Sequence, residues 1–191
     1  PHAVIVDACR TAIGRAHKDK GVFRDVRSDD LAVAVVKALV ERTGIDPTEI
    51  EDVVLGNVQQ QGEQGFDVAR SVGLMAGLPI ETGGVTVNRL CGSSLQALNQ
   101  GVHAIMAGFE DVQIVGGLEH MHHLPMDKDI DLNPKLFQRT SKAALFMGIT
   151  AEFLAQTQGI SREEQDAFAL RSHLRAAAAH AAGDFKREII P

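Results

Sequence analysis

The sequence predicts an α/β protein: a half-sheet built in the order β-α-β-α-β-α-β, layered with helices, and then a helical excursion away from the sheet. Three observations carry that expectation. Short apolar runs (AVIVDA, DVVLGNV, VTVN and DVQIVGG) alternate with stretches of helical period over residues 1–118. Glycines stand just past the helical stretches, where a left-handed stop belongs. From Glu119 onward the alternation ends and helices follow one another without strands between them.

Taken in order, AVIVDA at 3–8 fits a short buried strand, and the Gly- and charge-rich CRTAIGRAHKDKGVFRDVR after it reads as a long loop. Ser28 or Asp29 can cap the next element, in which Leu31, Val35, Ala38 and Leu39 recur at helical spacing up to the stop at Gly44, a helix over 29–43. Asp46 before Pro47 starts a one-turn helix that leads into a strand at 52–58. FDVARSVGLMA at 66–76 is helical and ends at Gly77 and Pro79, and VTVN at 85–88 is a third strand. Residues 92–107 form the next helix, with Leu95, Leu98, Val102 and Ile105 on one face and Gly108 as its stop, before a strand at 111–117. Strands alternating with helices argue for a mainly parallel sheet covered on both faces. The sheet domain is therefore assigned to 1–118 and a helical domain to 119–187, with EII at 188–190 starting a return strand that the chain carries to residue 191. In the helical part, Ser161 with Glu164 three residues on is a capping box, and Ala167, Leu170, Leu174 and Ala178 form one apolar face.

Composition narrows the function classes. The 191 residues carry 45% hydrophobic and 23% charged side chains, the balance of a globular domain. The net charge of −6, with no Trp and no Tyr, argues against nucleic acid as a partner, because duplex binders carry a basic excess and single-strand binders need stacking aromatics. The longest aliphatic run, LAVAVV at 31–36, is far short of the roughly 20 residues of a membrane span. PHAVIVDACR has no secretory pattern, so the expected compartment is cytoplasmic. Cys9 and Cys91 sit in no CxxC pair, which favours reduced thiols over a disulfide or a zinc site.

The chemistry concentrates at VTVNRLCGSSLQAL, residues 85–98, where a strand runs straight into a helix with Cys91 at the junction. The start of a helix has unpaired N–H groups and partial positive charge, which favour thiolate, the reactive form of cysteine. Gly92, Ser93 and Ser94 leave room for an acyl group, and backbone N–H groups there could hold a developing oxyanion. The local pattern leaves two readings open, a buried packing cysteine and a presented nucleophile. Cys9 reads as the packing kind. Among the histidines, His103 lies twelve positions along the helix from Cys91, about 18 Å by helical rise, and cannot reach it. His120, His122 and His123 follow the strand at 111–117 and would share the sheet edge with Cys91 if the strands are parallel. A polar loop is the alternative reading for them, and HMHH has no further ligand at metal-binding spacing.

These residues resemble the thiolase family, and within it the 3-ketoacyl-CoA thiolases of fatty-acid degradation. The resemblance rests on six segments in order: VDACRTAIGR at 6–15, GNVQQQGEQGFDVAR at 56–70, VNRLCGSS at 87–94, VGGLEHM at 115–121, MGITAE at 147–152 and SREEQDAFALRSH at 161–173. It implies a thiolase-like fold, with 119–187 as part of the loop domain that helps to bind CoA. It implies an acyltransferase in which Cys91 attacks a 3-ketoacyl-CoA, acetyl-CoA leaves, and CoA removes the shortened acyl group from sulfur. Coenzyme A enters as substrate, and no cofactor or metal is implied. Met147 and Gly148 match a segment beside the pantetheine arm, and Phe146, where short-chain members tend to have His, suggests longer acyl chains. Asn88, Gly92, His120 and His123 are further candidate neighbours of the site.

Members of the family are about twice this long. The resemblance expects an Asn-Glu-Ala segment, a Gly-His-Pro histidine and a Cys-x-Gly-x-Gly cysteine in the second half, and none of them matches a position of this sequence. The chain is accordingly expected to be the nucleophile half, without turnover by itself, because general acid–base catalysis worth about 10²- to 10⁴-fold would be missing. The expected partners are acyl-CoA and CoA, a C-terminal thiolase half, a homodimer or tetramer, and a multienzyme β-oxidation complex. Two other readings are a non-catalytic thiolase-fold fragment acting as an oligomerisation or binding module, and a decarboxylating ketoacyl synthase, which shares the fold and the cysteine. Separation of the halves should also leave helix faces such as that of Leu95, Leu98 and Val102 exposed.

Overall fold

An apolar run with no alternation belongs at the centre of a sheet covered on both sides, and DVVLG takes that place. In the computed structural model, which describes residues 2–191, strands β1 (Asp52–Gly56), β2 (Val85–Val87) and β3 (Gln113–Gly117) form one sheet in the order β2-β1-β3. All pairings are parallel, and Gly56 at the end of β1 stands opposite both Val87 and Gly117. The last residues of all three strands therefore share one edge.

The helices follow their sequence signals. Helix α1 (Ser28–Thr43) has Asp29 and Asp30 in its first turn and Arg42 in its last, which suits the helix dipole, and ends at Gly44 in the left-handed region. Helix α2 (Val68–Ala76) is capped by the Asp67 side chain and closed by Gly77. Helix α3 (Ser93–Ala107) follows β2 after a five-residue turn and ends at Gly108. Ala32 and Val36 of α1, and Val68, Ala69 and Val72 of α2, join Val53, Leu55 and Ile114 in the buried core on one face of the sheet. Helix α3 packs on β1 and β3, with Ala97 fully buried.

The sheet differs from expectation at the start of the chain. The run at 3–8 forms no strand, and Val4, Ile5 and Val6 are 77%, 71% and 82% exposed. A strand needs a neighbour about 4.8 Å away. Here an apolar cleft of about 1080 Å³, lined by Leu98, Val102 and Ile105 of α3 and by Val112–Leu118, borders the segment instead. Just past the segment, Arg10 makes a parallel bridge to Ile189, supported by the Arg10–Glu188 ion pair at 2.6 Å. The EII run thus returns to this unit as an isolated bridge. On α3, Leu95 is 62% exposed, whereas Leu98 and Val102 are half-buried.

The chain separates into two compact units, Pro1–Lys128 with Arg187–Pro191, and Asp129–Lys186. The sheet unit runs ten residues past the change of pattern at Glu119 because Glu119, His120 and His123 are hydrogen-bonded to Val58, Gln64, Phe23, Arg24 and Glu63. The second unit holds helices α4 (Met147–Gln158) and α5 (Arg162–Ala182), the latter with both bonds of the capping box at Ser161 and Glu164. Neither helix has a buried residue. Leu170 and Leu174, on the anticipated apolar face of α5, are 60% and 61% exposed.

Candidate active site

The turn Asn88–Gly92 leaves β2 at the shared strand edge and delivers Cys91 to the start of α3. The cysteine is exposed, so the buried-packing reading of its sequence context does not apply. Gly92 is the N-cap and no side chain caps the first turn, which leaves the helix end open to a ligand. Leu90, immediately before the cysteine, has φ +48°, a left-handed conformation that costs a non-glycine residue about 1–3 kcal/mol. Five hydrogen bonds hold it there. Leu90 N–H donates to Asn88 Oδ1 (2.9 Å), the Ser93 N–H and Oγ both donate to the Leu90 carbonyl (3.0 and 2.6 Å), Arg89 N–H donates to Ser93 Oγ (2.8 Å), and Gly92 N–H donates to the Arg89 carbonyl (3.0 Å). Ser93 is buried and spends its hydroxyl inside the turn.

Two strand-end glycines set how closely this turn approaches the sheet. A Cβ on Gly56 would overlap the Ser93–Ser94 peptide, and one on Gly117 would overlap Ser94 Oγ and the Gly56 carbonyl. The first turn of α3 therefore lies directly on the backbone of β1 and β3. Sequence reasoning missed both glycines, although GNV and VGG at strand ends beside a helix start were a visible cue to close approach.

A polar belt lies along the same edge. Asn57, 1% exposed, donates to the Leu118 carbonyl, and Gln64, fully buried, donates to the Gln59 carbonyl and to Glu119 while accepting from His120 N–H. Sequence analysis overlooked Asn57, Gln64 and Glu119 because their role depends on loops that follow different strands.

The candidate histidines perform structural work. His120 Nε2 faces the Phe23 carbonyl at 2.9 Å, which only accepts, so it carries the proton, and Nδ1 accepts from His123 N–H. Both ring nitrogens are used. His123 stacks on His120 with centroids 3.9 Å apart, its Nδ1 facing the Glu63 carboxylate (2.9 Å) and its Nε2 the Arg24 carbonyl (2.7 Å). Two acceptors require two protons, which is the imidazolium form. The His123 pKa is raised, first by the Arg24 carbonyl and then by Glu63. Burial would lift the Glu63 carboxyl, but hydrogen bonds from Ser28 and His123 hold it below its ordinary value.

The linkage has a definite sign. A raised histidine pKa stabilises fully below the unfolded value of about 6.5 and stops doing so as pH rises through the folded value. The lowered Glu63 pKa stabilises above the unfolded value of about 4.3 and fails as pH falls below it. We expect the melting-temperature difference between the native chain and His123→Gln to be largest at pH 5–6 and to shrink towards pH 9. A difference that grows with pH in thermal melts would contradict the imidazolium assignment.

Cys9 is the packing cysteine: its thiol donates to the Val35 carbonyl at 3.6 Å and burial pushes its pKa up, partly offset by Arg42. Phe146, Met147 and Gly148 lie in the second unit, at the N-cap and first turn of α4, with Phe146 55% and Met147 65% exposed. No three His, Cys, Asp or Glu side chains among the described residues are grouped to hold a metal ion, and no described helix is long and apolar enough to cross a membrane.

Comparison with known proteins gives one consistent answer. The profile described as "Thiolase, N-terminal domain" matches residues 3–191. A 3-ketoacyl-CoA thiolase of Vibrio vulnificus (strain YJ016) is 52% identical over 191 residues, covering 100% of this chain and 49% of that protein. A 3-ketoacyl-CoA thiolase of Shewanella frigidimarina (strain NCIMB 400) is 53% identical over 188 residues, 98% of this chain and 48% of its own. The chain spans about half the length of the curated relatives it matches.

Proposed function

This chain belongs to the thiolase family through its N-terminal domain, and from that premise we propose that it carries the nucleophile of a 3-ketoacyl-CoA thiolase. The observation that carries the reading is the exposed Cys91 on a constrained turn at the start of α3, at the edge where all three parallel strands end. Open α/β sheets bind their ligands at that edge.

In the proposed reaction, Cys91 Sγ attacks the C3 ketone carbon of a 3-ketoacyl-CoA and the carbonyl electron pair moves onto oxygen. Collapse of this adduct breaks the C2–C3 bond. The released pair becomes the enolate of acetyl-CoA, which takes a proton, and the shortened acyl group stays on sulfur as a thioester. The sulfur of CoA then attacks the thioester, the bond to Cys91 breaks, and the shortened acyl-CoA leaves. Sulfur suits both steps because it is a strong nucleophile near neutral pH and keeps the acyl group activated. The first turn of α3, with no side-chain cap, can offer N–H groups to the oxyanion.

The acid and base for the acetyl carbon are assigned to a C-terminal half. Supporting this, both ring nitrogens of His120 and of His123 are engaged inside the loop network. Phe146, Met147 and Gly148 are proposed to meet the acyl-pantetheine portion of the substrate. The exposed apolar side chains and the space open around Gly148 support that role. Leu95, Phe153 and Phe168, all exposed, are proposed to be covered by the second half or by a second copy in a dimer or tetramer.

The test is incubation with a 3-ketoacyl-CoA, with the C-terminal half supplied, followed by intact-mass measurement and peptide mapping. The expected result is one acyl group on Cys91, removed by adding CoA. No adduct on Cys91 would overturn the assignment and favour the binding-module reading, which size-exclusion with and without the second half would then examine.

A further inference from the structure

The turn that presents Cys91 is held from outside as well as from within. Asn88 uses both ends of its amide: Oδ1 accepts from Leu90 N–H, and Nδ2 donates to the Val58 carbonyl at 3.2 Å. The N–H of the same Val58 donates to Glu119 Oε2 at 2.9 Å. The other oxygen, Oε1, accepts from the fully buried Gln64 amide at 2.7 Å. Both oxygens of one carboxylate are thus committed, one to the Val58 N–H and one to the Gln64 side chain, both on the connection after β1. Glu119 itself sits just past the end of β3, while the residue it reaches through Val58, Asn88, begins the turn after β2. The three loops at the strand edge meet in this relay.

We propose that Glu119 is a positioning residue for Cys91, acting through Val58 and Asn88 to keep Leu90 in its left-handed conformation and the sulfur at the start of α3. The proposal rests on the reading of Cys91 as the nucleophile but concerns how the thiol is held. A left-handed leucine relaxes towards ordinary backbone geometry once its restraints are lost. The next residue then swings away from the start of α3 and the exposed position from which its sulfur is presented. Glu119 touches neither sulfur nor substrate in this account. Its carboxylate is suited to the task because a single amide or hydroxyl in its place could not present two acceptor oxygens to two separate donors, the Val58 N–H and the Gln64 amide.

The test compares Glu119→Ala, Glu119→Gln, Asn88→Ala and the double alanine variant in the chain joined to its C-terminal half. One readout is the rate of iodoacetamide alkylation at Cys91 resolved by peptide mass spectrometry, with half-buried Cys9 as an internal reporter of unfolding. The other is the kcat and KM of acyl transfer. We expect each alanine variant to slow Cys91 alkylation about 3- to 10-fold while Cys9 stays protected, because a turn free to relax presents the sulfur in the reactive orientation only part of the time. Glu119→Gln should fall between Ala and Glu, since it keeps one acceptor of the two. The double variant should be no slower than the slower single one, because both break the same relay. In acyl transfer, kcat should fall about 10- to 100-fold with KM within about 2-fold, the mark of a misplaced nucleophile and not of weakened binding.

An unchanged Cys91 rate in Glu119→Ala, or additive losses in the double variant, overturns the relay. If Glu119→Ala exposes Cys9, the comparison passes to Glu119→Gln and to Asn88→Ala, whose side chain is exposed. A normal Cys91 rate in both overturns it equally. Should the native enzyme form no acyl adduct while the alkylation differences hold, the thiolase reading fails and the positioning role stands.

Discussion

Replacing Cys91 by alanine is expected to remove the acyl-enzyme and to lower thiolytic turnover by about 10⁴-fold or more, the scale seen when a covalent nucleophile is deleted. Nothing nearby can substitute. Ser93, two residues further along the chain, is buried, and its hydroxyl already donates to the Leu90 carbonyl and accepts from Arg89 N–H. Cys9 is half-buried, its thiol engaged with Val35 and its pKa pushed up by burial. Cys91→Ser should fare little better than alanine, because an alkoxide is far less accessible than a thiolate near neutral pH. The measurement is intact mass after incubation with substrate, together with steady-state turnover, in the chain joined to its C-terminal half. Turnover within 10-fold of the native enzyme in Cys91→Ala would move the nucleophile elsewhere.

The second large effect is expected from Gly56→Ala. The added methyl would overlap the Ser93–Ser94 peptide, and backbone atoms cannot rotate out of the way as a flexible side chain can. The first turn of α3 must lift off the sheet, taking Cys91 with it. Overpacking of this kind costs about 3 kcal/mol, which corresponds to a fall of roughly 6–12 °C in Tm for a chain of this size. Gly44→Ala is the informative control. Gly44 sits at φ +65° with nothing within 4 Å of its would-be Cβ, so it should cost only the left-handed backbone penalty of about 1 kcal/mol. Thermal melts of the two variants separate a steric cause from a conformational one. If Gly56→Ala melts no lower than Gly44→Ala, α3 does not depend on that close approach. Gly56→Ala should also slow alkylation of Cys91, whereas Gly44→Ala should not.

The contrast between these glycines shows where local pattern was sufficient. Gly44, Gly77 and Gly108 were legible as helix stops because a left-handed C-cap depends only on residues within one turn. The capping box at Ser161 and Glu164 and the Asp46–Pro47 turn formed as their spacing indicates, for the same reason. Gly56 and Gly117 are different in kind. Their need for hydrogen in place of a side chain arises from a helix that comes some forty residues later in the chain or precedes it.

The histidines show the opposite case, in which the polar-loop reading is the one their contacts favour. His120 and His123 stood in an expected place, beside the strand edge that carries Cys91, and the parallel sheet does put them after β3. Three of their four ring nitrogens, however, are directed to the carbonyls of Phe23 and Arg24 and to Glu63, partners 60 to 99 residues away. No spacing rule reveals that. Likewise AVIVDA has the composition of a strand, yet composition cannot supply the adjacent backbone on which a strand depends.

What the sequence by itself determined about this protein is its class, its helix limits, the order of its three sheet strands along the chain, and the junction at which Cys91 stands. All of these follow from short-range periodicity and capping. What only the tertiary structure decided is that Cys91 is open, that Leu90 is held left-handed, that Glu119 and Gln64 join loops from separate strands, and that the histidines are committed elsewhere. The physical reason is that hydrogen-bond satisfaction and close packing are settled between elements brought together by folding, whereas propensity acts within a turn or two of the chain.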